Sequence, residues 1–338
     1  MSGKEKISQS GIRNENIIAI FNEIAQCDGI SRAEISERTG LSLMTVGKVA
    51  DLMTHEGIIS QAKPATGNAG RRAGMLTLFD GHFILSLDIS CESFRATALN
   101  LALSPFDSIS YRYNNSLSPE DNLIIFYREA CTLLMKHLMS KKLVGMGICI
   151  SGDYDAESDT VKSQNAKHLS NLKIAATLKN ATGLSPDIII NSNEATAISV
   201  LSTLSDEDSG CTINLSLDSG AYGCITIDGN LLHRPSDFES LVCENGRTLA
   251  YNLYDITDEE ELCHQICSAL KPIISVICPD SIFMSASERT FTEWFPTFLE
   301  GELKTKTCHP KIIFENSRKS YSDMGLAYLL RESMLKNL

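Results

Sequence analysis

The chain has 338 residues, 43% hydrophobic and 21% charged, with a formal net charge of −12. That is enough apolar material for two or three packed domains and too much for a disordered chain. No apolar run approaches the roughly 20 residues of a membrane span, and the segment MSGKEKISQSG lacks the apolar stretch of a secretory signal, so a cytoplasmic protein without membrane contact is expected.

The 11 cysteines are scattered and mostly set in apolar runs such as GMGICIS and YGCITI, which predicts buried free thiols. Cys263, His264 and Cys267 share a helical stretch, but no second cysteine pair lies nearby, so no metal is expected there. Charge is unevenly spread. Residues 1–80 are neutral, and the whole excess of acid falls on the rest. An acidic body is repelled by DNA, so any nucleic-acid contact belongs to the N-terminal part.

The segment ISRAEISERTG opens with a capping box, Ser31 with Glu34, and a hydrophobic staple, Ile30 with Ile35. A weaker copy follows, with Ser42 as cap and Leu41 and Val46 as staple. Gly40 sits where the turn between the two helices needs positive φ. Val46, Val49 and Met53 recur at helical spacing and form a core stripe, so Leu43, Met44, Gly47, Lys48 and Asp51 face away. Two short helices around a glycine turn, the second with a mixed outer face, describe a helix-turn-helix. A wing follows: Gly57 ends the helix, Ile58 and Ile59 start a strand, and Met75, Leu76 and Leu78 supply its return. The Gly/Asn/Ala-rich tip carries Arg71 and Arg72, suited to a narrow minor groove or to phosphates. The expected DNA contacts are Arg32, Ser42, Leu43, Met44, Thr45, Lys48, Arg71 and Arg72, with Leu43, Met44 and Lys48 reading bases and Ser42 and Thr45 on phosphates.

From Phe83 onward the pattern is α/β. FILSLDIS, FRATALNL and SISYRYN read as strands, PEDNLIIFYREACTLLMKHLMS as a long helix started by Pro119, and VGMGICISG as a buried strand. A helix near NLKIAATLKNATG, the strand DIII and a helix near Glu194 follow. The order then restarts: CTINLSLDS, GAYGCITIDG and NLLHR as strands, DEEELCHQICSALKPIISVICP as a helix, SIFMSA as a strand and YSDMGLAYLLRESMLK as a closing helix. Two such units in tandem predict a two-lobed body with a cleft.

On these residues the chain resembles the ROK family of repressors and sugar kinases, in its repressor form. RNENIIAIFNEIAQCDGISRAEISERTGLS, with the later TV, GII and GRR, is similar to the family's winged helix-turn-helix. SLDIS, GICISGDYD, SQNAKH, NSNEA and SLDSGAYGCITIDG follow, in order, the family's phosphate strand, its GIGVPGPVD turn, its sugar-pocket segment, its Asn-Asp-Ala motif and its phosphate hairpin. The resemblance implies a winged helix-turn-helix ahead of a two-lobed actin-like, sugar-kinase body. It divides the chain into residues 1–80, the DNA-binding head; 81–192 with 320–338, the first lobe; and 193–319, the second. It also implies a ligand pocket at Asn165, Asn193, Glu194 and Glu239.

The family chemistry is eroded. Glu194 stands where the resemblance puts the catalytic aspartate, and one added methylene displaces a base that tolerates little displacement. The three phosphate loops read Asp88-Ile89-Ser90-Cys91-Glu92; Asp218, Ala221 and Tyr222 among Gly220 and Gly223; and Ser285-Ala286-Ser287-Glu288, so the glycines that let amides approach ATP are mostly gone. Of the family's zinc ligands only Cys243 can be placed, and His233 is out of register. The expectation is a regulator without enzymatic activity, cofactor or metal. It binds a double-stranded DNA operator as a homodimer or a dimer of dimers, represses carbohydrate-related genes, and responds to a small-molecule effector, a sugar or sugar derivative. A sugar kinase with a fused head, and a regulator whose body only dimerises, stay open as alternatives.

Overall fold

The computed structural model describes residues 9–61, 74–90, 93–162, 169, 172–202, 210–217, 221–228, 230–231, 238–286, 291–315 and 321–338. The chain opens with three helices, α1 (Gln9–Ala25), α2 (Arg32–Thr39) and α3 (Leu43–His55), and a small antiparallel pair, β1 (Ile59–Gln61) with β2 (Leu76–Leu78). The local chemistry expected of this segment is in place. The Ser31 hydroxyl accepts from the Glu34 amide while the Glu34 carboxylate accepts from the Ser31 amide, and Gly40 ends α2 at φ 69°. Ile17, Ile20, Phe21 and Ile24 of α1 are buried, as are Ile30, Ile35, Val46, Met53, Ile58 and Leu76. Neither α2 nor the β1–β2 pair could hold its shape without that shared core.

The body contains two five-stranded sheets of the same topology. The first runs β5 (Pro105–Arg112), β4 (Ser93–Leu99), β3 (His82–Asp88), β6 (Lys142–Ile150), β9 (Ile188–Asn191). Its helices are α4 (Pro119–Leu138) and α5 (Ile174–Thr182); α6 (Ser192–Leu201) follows β9 in the chain and packs against the second sheet, and a short hairpin of β7 (Asp153–Asp155) and β8 (Thr160–Lys162) follows β6. The second sheet runs β12 (Asn230–Leu231), β11 (Ala221–Ile227), β10 (Cys211–Leu217), β13 (Ser281–Ser285), β14 (Lys311–Glu315). Its helices are α7 (Leu249–Asp255), α8 (Glu259–Ile277) and α9 (Trp294–Glu302); the closing α10 (Tyr321–Lys336) begins with this sheet and groups with the first from Ala327 onward. In each sheet three antiparallel strands come first and two crossover strands are added beside the first of them, which is the repeated order read from the sequence.

Five features were not read as elements: α1, the β7–β8 hairpin, α7, α9 and β14. All but α1 are short. The strand KIIFE lies at a sheet edge, and WFPTFLEGE carries a proline and a glycine that mask its helical period. Of the expected strand NLLHR, only Asn230–Leu231 is a described strand; the rest lies outside the described residues.

The described residues form two compact units. One takes in those of Met1–Ile148, Leu172–Ile189 and Ala327–Leu338, the other those of Cys149–Asn171 and Ile190–Leu326. The winged head thus belongs to the same unit as the first sheet. The reason is a buried seam. Arg331, on the second half of α10, is 6% exposed, stacks over the Phe21 ring of α1 at 5.0 Å and donates to the Leu101 carbonyl at 3.0 Å. Phe94 meets Phe126 of α4 edge-on at 5.5 Å in the same unit. In the second unit Ile213, Leu215 and Leu217 of β10 pack on α8 and α9 through Leu262, Ile266, Leu270, Phe295 and Leu299.

Candidate nucleic-acid interface and body site

Ser42 starts α3, its hydroxyl accepting from the Thr45 amide at 3.2 Å and meeting the Thr45 hydroxyl at 2.9 Å. Val46, Val49, Ala50 and Met53 are buried. The opposite side is open: Leu43 is 59% exposed and Met44 72%, with Lys48 also exposed. Two large apolar side chains presented to solvent on the first turn of a capped helix have no packing role in the head. They suit thymine methyl groups, and Lys48 suits guanine or phosphate.

Arg32 sits elsewhere. Its guanidinium pairs with Asp51 of α3 at 2.6 Å and passes the open side of Gly47. It straps α2 to α3 across the outer face, so Asp51, which the sequence gives only as outward-facing, fixes where that charge lies. Arg71 and Arg72 lie outside the described residues, but the base of the wing is defined: Ile59 pairs with Leu78, Ser60 with Thr77 and Gln61 with Leu76.

In the second unit two of the four residues expected to hold a ligand lie on α6. Asn191 caps the helix, its side-chain oxygen accepting from the Asn193 amide at 2.9 Å while its side-chain amide donates to the Gly152 carbonyl at 2.8 Å. Asn193 and Glu194 follow in the first turn, which places a carboxylate at the positive end of the helix. Behind them a recess of about 10 Å³, hardly room for one water molecule, is lined by Asn193, Thr196, Asn214, Leu215, Ser216, Gly223 and Cys224. It is smaller than the about 300–1,000 Å³ usual for a ligand pocket. Two of its walls were not legible in the sequence. Asn214 is 2% exposed, and neither atom of its side-chain amide has a hydrogen-bond partner by distance and angle; the Cys224 thiol, opposite it in the β10–β11 register, is its neighbour. Burial, with the Glu194 charge beside it, pushes that thiol up to about 12, so it stays protonated. Of the other expected ligand residues, Asn165 lies outside the described residues, and Glu239 falls in a 3₁₀ turn, Phe238–Ser240.

Comparison with known proteins supplies the wider frame. Residues 13–60 match the family of winged helix-turn-helix DNA-binding domains. The structure of a ROK family transcriptional regulator that is a homolog of the E. coli MLC protein superposes with a TM-score of 0.66, covering 96% of this chain and 97% of that one at 15% identity. It has the ROK fold. A ROK family glucokinase from Streptomyces griseus, in complex with glucose and AMPPNP, covers 73% of this chain and 98% of its own at a TM-score of 0.53 and 12% identity. The xylose repressor of Bacillus subtilis (strain 168) is 23% identical over 261 residues, 73% of this chain and 67% of that protein. The ROK fold thus serves regulators and kinases alike, and the DNA-binding head is shared with the first kind.

Two groups that go with the ROK fold can be tested against the residues present. At the end of β3, where a nucleotide phosphate would need free amides, the Ser90 amide and hydroxyl both donate to Asp88, at 2.9 and 2.5 Å, and Asp88 also faces Arg95 at 3.6 Å. The Asp88 carboxylate thus takes the Ser90 amide that an anion there would need. Gly223, one of the glycines kept in the phosphate hairpin, has a packing reason: a Cβ there would lie 2.6 Å from the Asn214 carbonyl and 2.7 Å from the Phe238 ring. For a zinc ion, only the surroundings of Cys243 are described. Cys243 is buried beside Asn252 and Ser268, its thiol raised by burial, and among the described residues no group of three or more His, Cys, Asp or Glu side chains is placed to hold a metal. No helix among the described residues is long and apolar enough to cross a membrane.

Proposed function

We propose that the protein is a transcriptional repressor of carbohydrate-related genes, acting as a homodimer or a dimer of dimers on a double-stranded operator. The observation that carries the reading is the outer face of α3, where a capped helix presents Leu43, Met44 and Lys48 to solvent above a well-packed core. One head spans about one half-site, so useful specificity calls for two. Arg71 and Arg72 extend the grip to the minor groove or to phosphates. Selection of binding sites from randomised DNA by the full-length protein should yield a two-fold related sequence, and Met44→Ala should change the bases selected. An unchanged selected site removes Met44 as a reader. Replacing Arg71 and Arg72 with alanine should weaken operator binding and flatten its salt dependence, because fewer counterions are released.

The effector is a sugar or sugar derivative held by the body, with Asn165, Asn193, Glu194 and Glu239 as its polar partners. The relative named xylose repressor and the sugar-kinase fold support that class of ligand. Binding regulates only if the ligand prefers one arrangement of the body over another. Thermal shift against a panel of monosaccharides and their phosphates should find a stabilising ligand whose effect is lost in Asn193→Ala. If no member of the panel stabilises, the body is a scaffold for assembly.

The kinase reading has one specific support, the carboxylate of Glu194 at the first turn of α6. We place it second because Asp88 already holds the Ser90 amide. Sugar-dependent ADP release that disappears in Glu194→Gln would reverse the order.

A further inference from the structure

Three cysteines far apart in sequence meet at one end of the second sheet. Cys211 is the first residue of β10, Cys278 ends α8 just before β13, and Cys308 lies in the loop before β14. Strand pairing brings them together. The Asp280 amide donates to the Cys211 carbonyl and the Cys211 amide to the Asp280 carboxylate, both at 2.8 Å, while the Lys311 amide donates to the Asp280 carbonyl at 2.9 Å. The Cys308 thiol reaches the carbonyl of Pro279, the residue after Cys278, at 3.6 Å, and the Cys278 thiol is one of the groups that raise it. One member is open and one is closed: Cys278 is exposed, whereas Cys308 is 5% exposed. Cys278 also holds an unusual backbone, φ 49° and ψ 62°, at a helix end where glycine is the ordinary choice. Neither the candidate DNA interface nor the residues around α6 use this cluster.

We propose that Cys278 and Cys308 are a reversible disulfide site, with Cys278 as the attacking thiol and Cys308 as the resolving one. With a peroxide as two-electron oxidant, the Cys278 sulfur attacks a peroxide oxygen; the S–O bond forms, the O–O bond breaks, and one water leaves. The Cys308 sulfur then attacks the resulting sulfenic acid; the S–S bond forms, the S–O bond breaks, and the second water leaves. Two thiols and one hydrogen peroxide give one disulfide and two waters. The bond would close the loop that carries α9. Burial raises the thiols of both Cys211 and Cys308, and the Asp280 carboxylate adds to this. A thiol held protonated is the poorer nucleophile, which leaves the first attack to the exposed Cys278.

The test uses the full-length native protein, treated with hydrogen peroxide, alkylated, digested and mapped by mass spectrometry. The expected product is a single Cys278–Cys308 linked peptide that dithiothreitol abolishes. The oxidised protein should melt about 3 °C or more above identically treated Cys278→Ser, a variant at an exposed position that leaves the core intact. Three results would overturn the proposal: all cysteines remaining alkylatable in the unfolded, oxidised sample; a Cys211–Cys278 link in place of the expected one; or stoichiometric zinc that shields the three thiols, which would make the cluster a metal site.

Discussion

The winged head and the sheet beneath α6 break the usual rules of a folded protein in opposite ways. In the head, polar side chains build local structure: Ser31 and Glu34 cap each other's backbone, Ser42 caps α3, and one terminal nitrogen of the Arg32 guanidinium is tied to Asp51. On the outer face of α3 it leaves two large apolar side chains, Leu43 and Met44, beside the charge of Lys48. In the second unit the exception lies inside, where the Asn214 amide and the Ser199 hydroxyl are buried without a hydrogen-bond partner. Exposed apolar groups and buried unpaired polar groups both cost stability, and a chain that keeps them is being held to something other than stability. The head's exception matches a groove-reading surface. The body's, at Asn214, lines the recess beside the residues proposed to hold a ligand.

The sharpest test of the body side is Gly325 of α10. A Cβ there would sit 1.7 Å from the Ala195 carbonyl oxygen of α6. Gly325→Ala is expected to destabilise by about 2–3 kcal/mol despite its better helix propensity, read by urea denaturation. A neutral result would mean that α6 is loosely held, and that the unpaired groups beneath it are not confined. Next in size, Asn214→Leu removes an unpartnered buried amide and should stabilise by about 1–2 kcal/mol. A loss of stability would show that the amide is satisfied in solution and would remove the contrast. On the head side, Ser31→Ala should cost about 1 kcal/mol through the lost cap. Smallest in stability is Met44→Ser, expected within about 0.5 kcal/mol of the parent while operator affinity falls. A large loss of stability there would make Met44 a packing residue.

The cap also carries a pH signature. Glu34 is held below its ordinary 4.5 by the Ser31 side-chain contact and then by the Ser31 amide. Its contribution is therefore fully present above that value and is lost as pH falls through the lower folded one. The difference in melting temperature between the parent and Glu34→Gln should be present at pH 7 and shrink as the pH is taken below 4.5. A difference that does not change with pH would take the charge out of the cap.

Legibility differed between these regions for a physical reason. Caps, staples and the α3 stripe are local, set by residues three or four apart, so the head could be read from Ser31, Gly40 and Val46 alone. The repeated strand order was also legible, because buried strands are runs of apolar residues. The surroundings of α6 were only half legible. Asn193 and Glu194 announce a helix start, but Asn214 and Cys224 become their neighbours only through strand register. Cysteines that look scattered along the chain likewise converge only when β10, β13 and β14 are laid side by side. Gly223 was legible as a glycine and misleading as to cause, because Phe238 lies too far along the chain to suggest that packing explains it.

The seam at Arg331 has a consequence for taking the protein apart. Its guanidinium lies against Phe21 from one side of the chain and bonds Leu101 from another, so the head's core is completed by residues that come long after it. A fragment cut at residue 80 would bare the outer face of Phe21, and the remainder would be left with an arginine whose burial was arranged around an aromatic ring. Heads exchanged between regulators of this build would need to carry the matching stretch of α10 with them. The DNA reader is modular by sequence and not by surface.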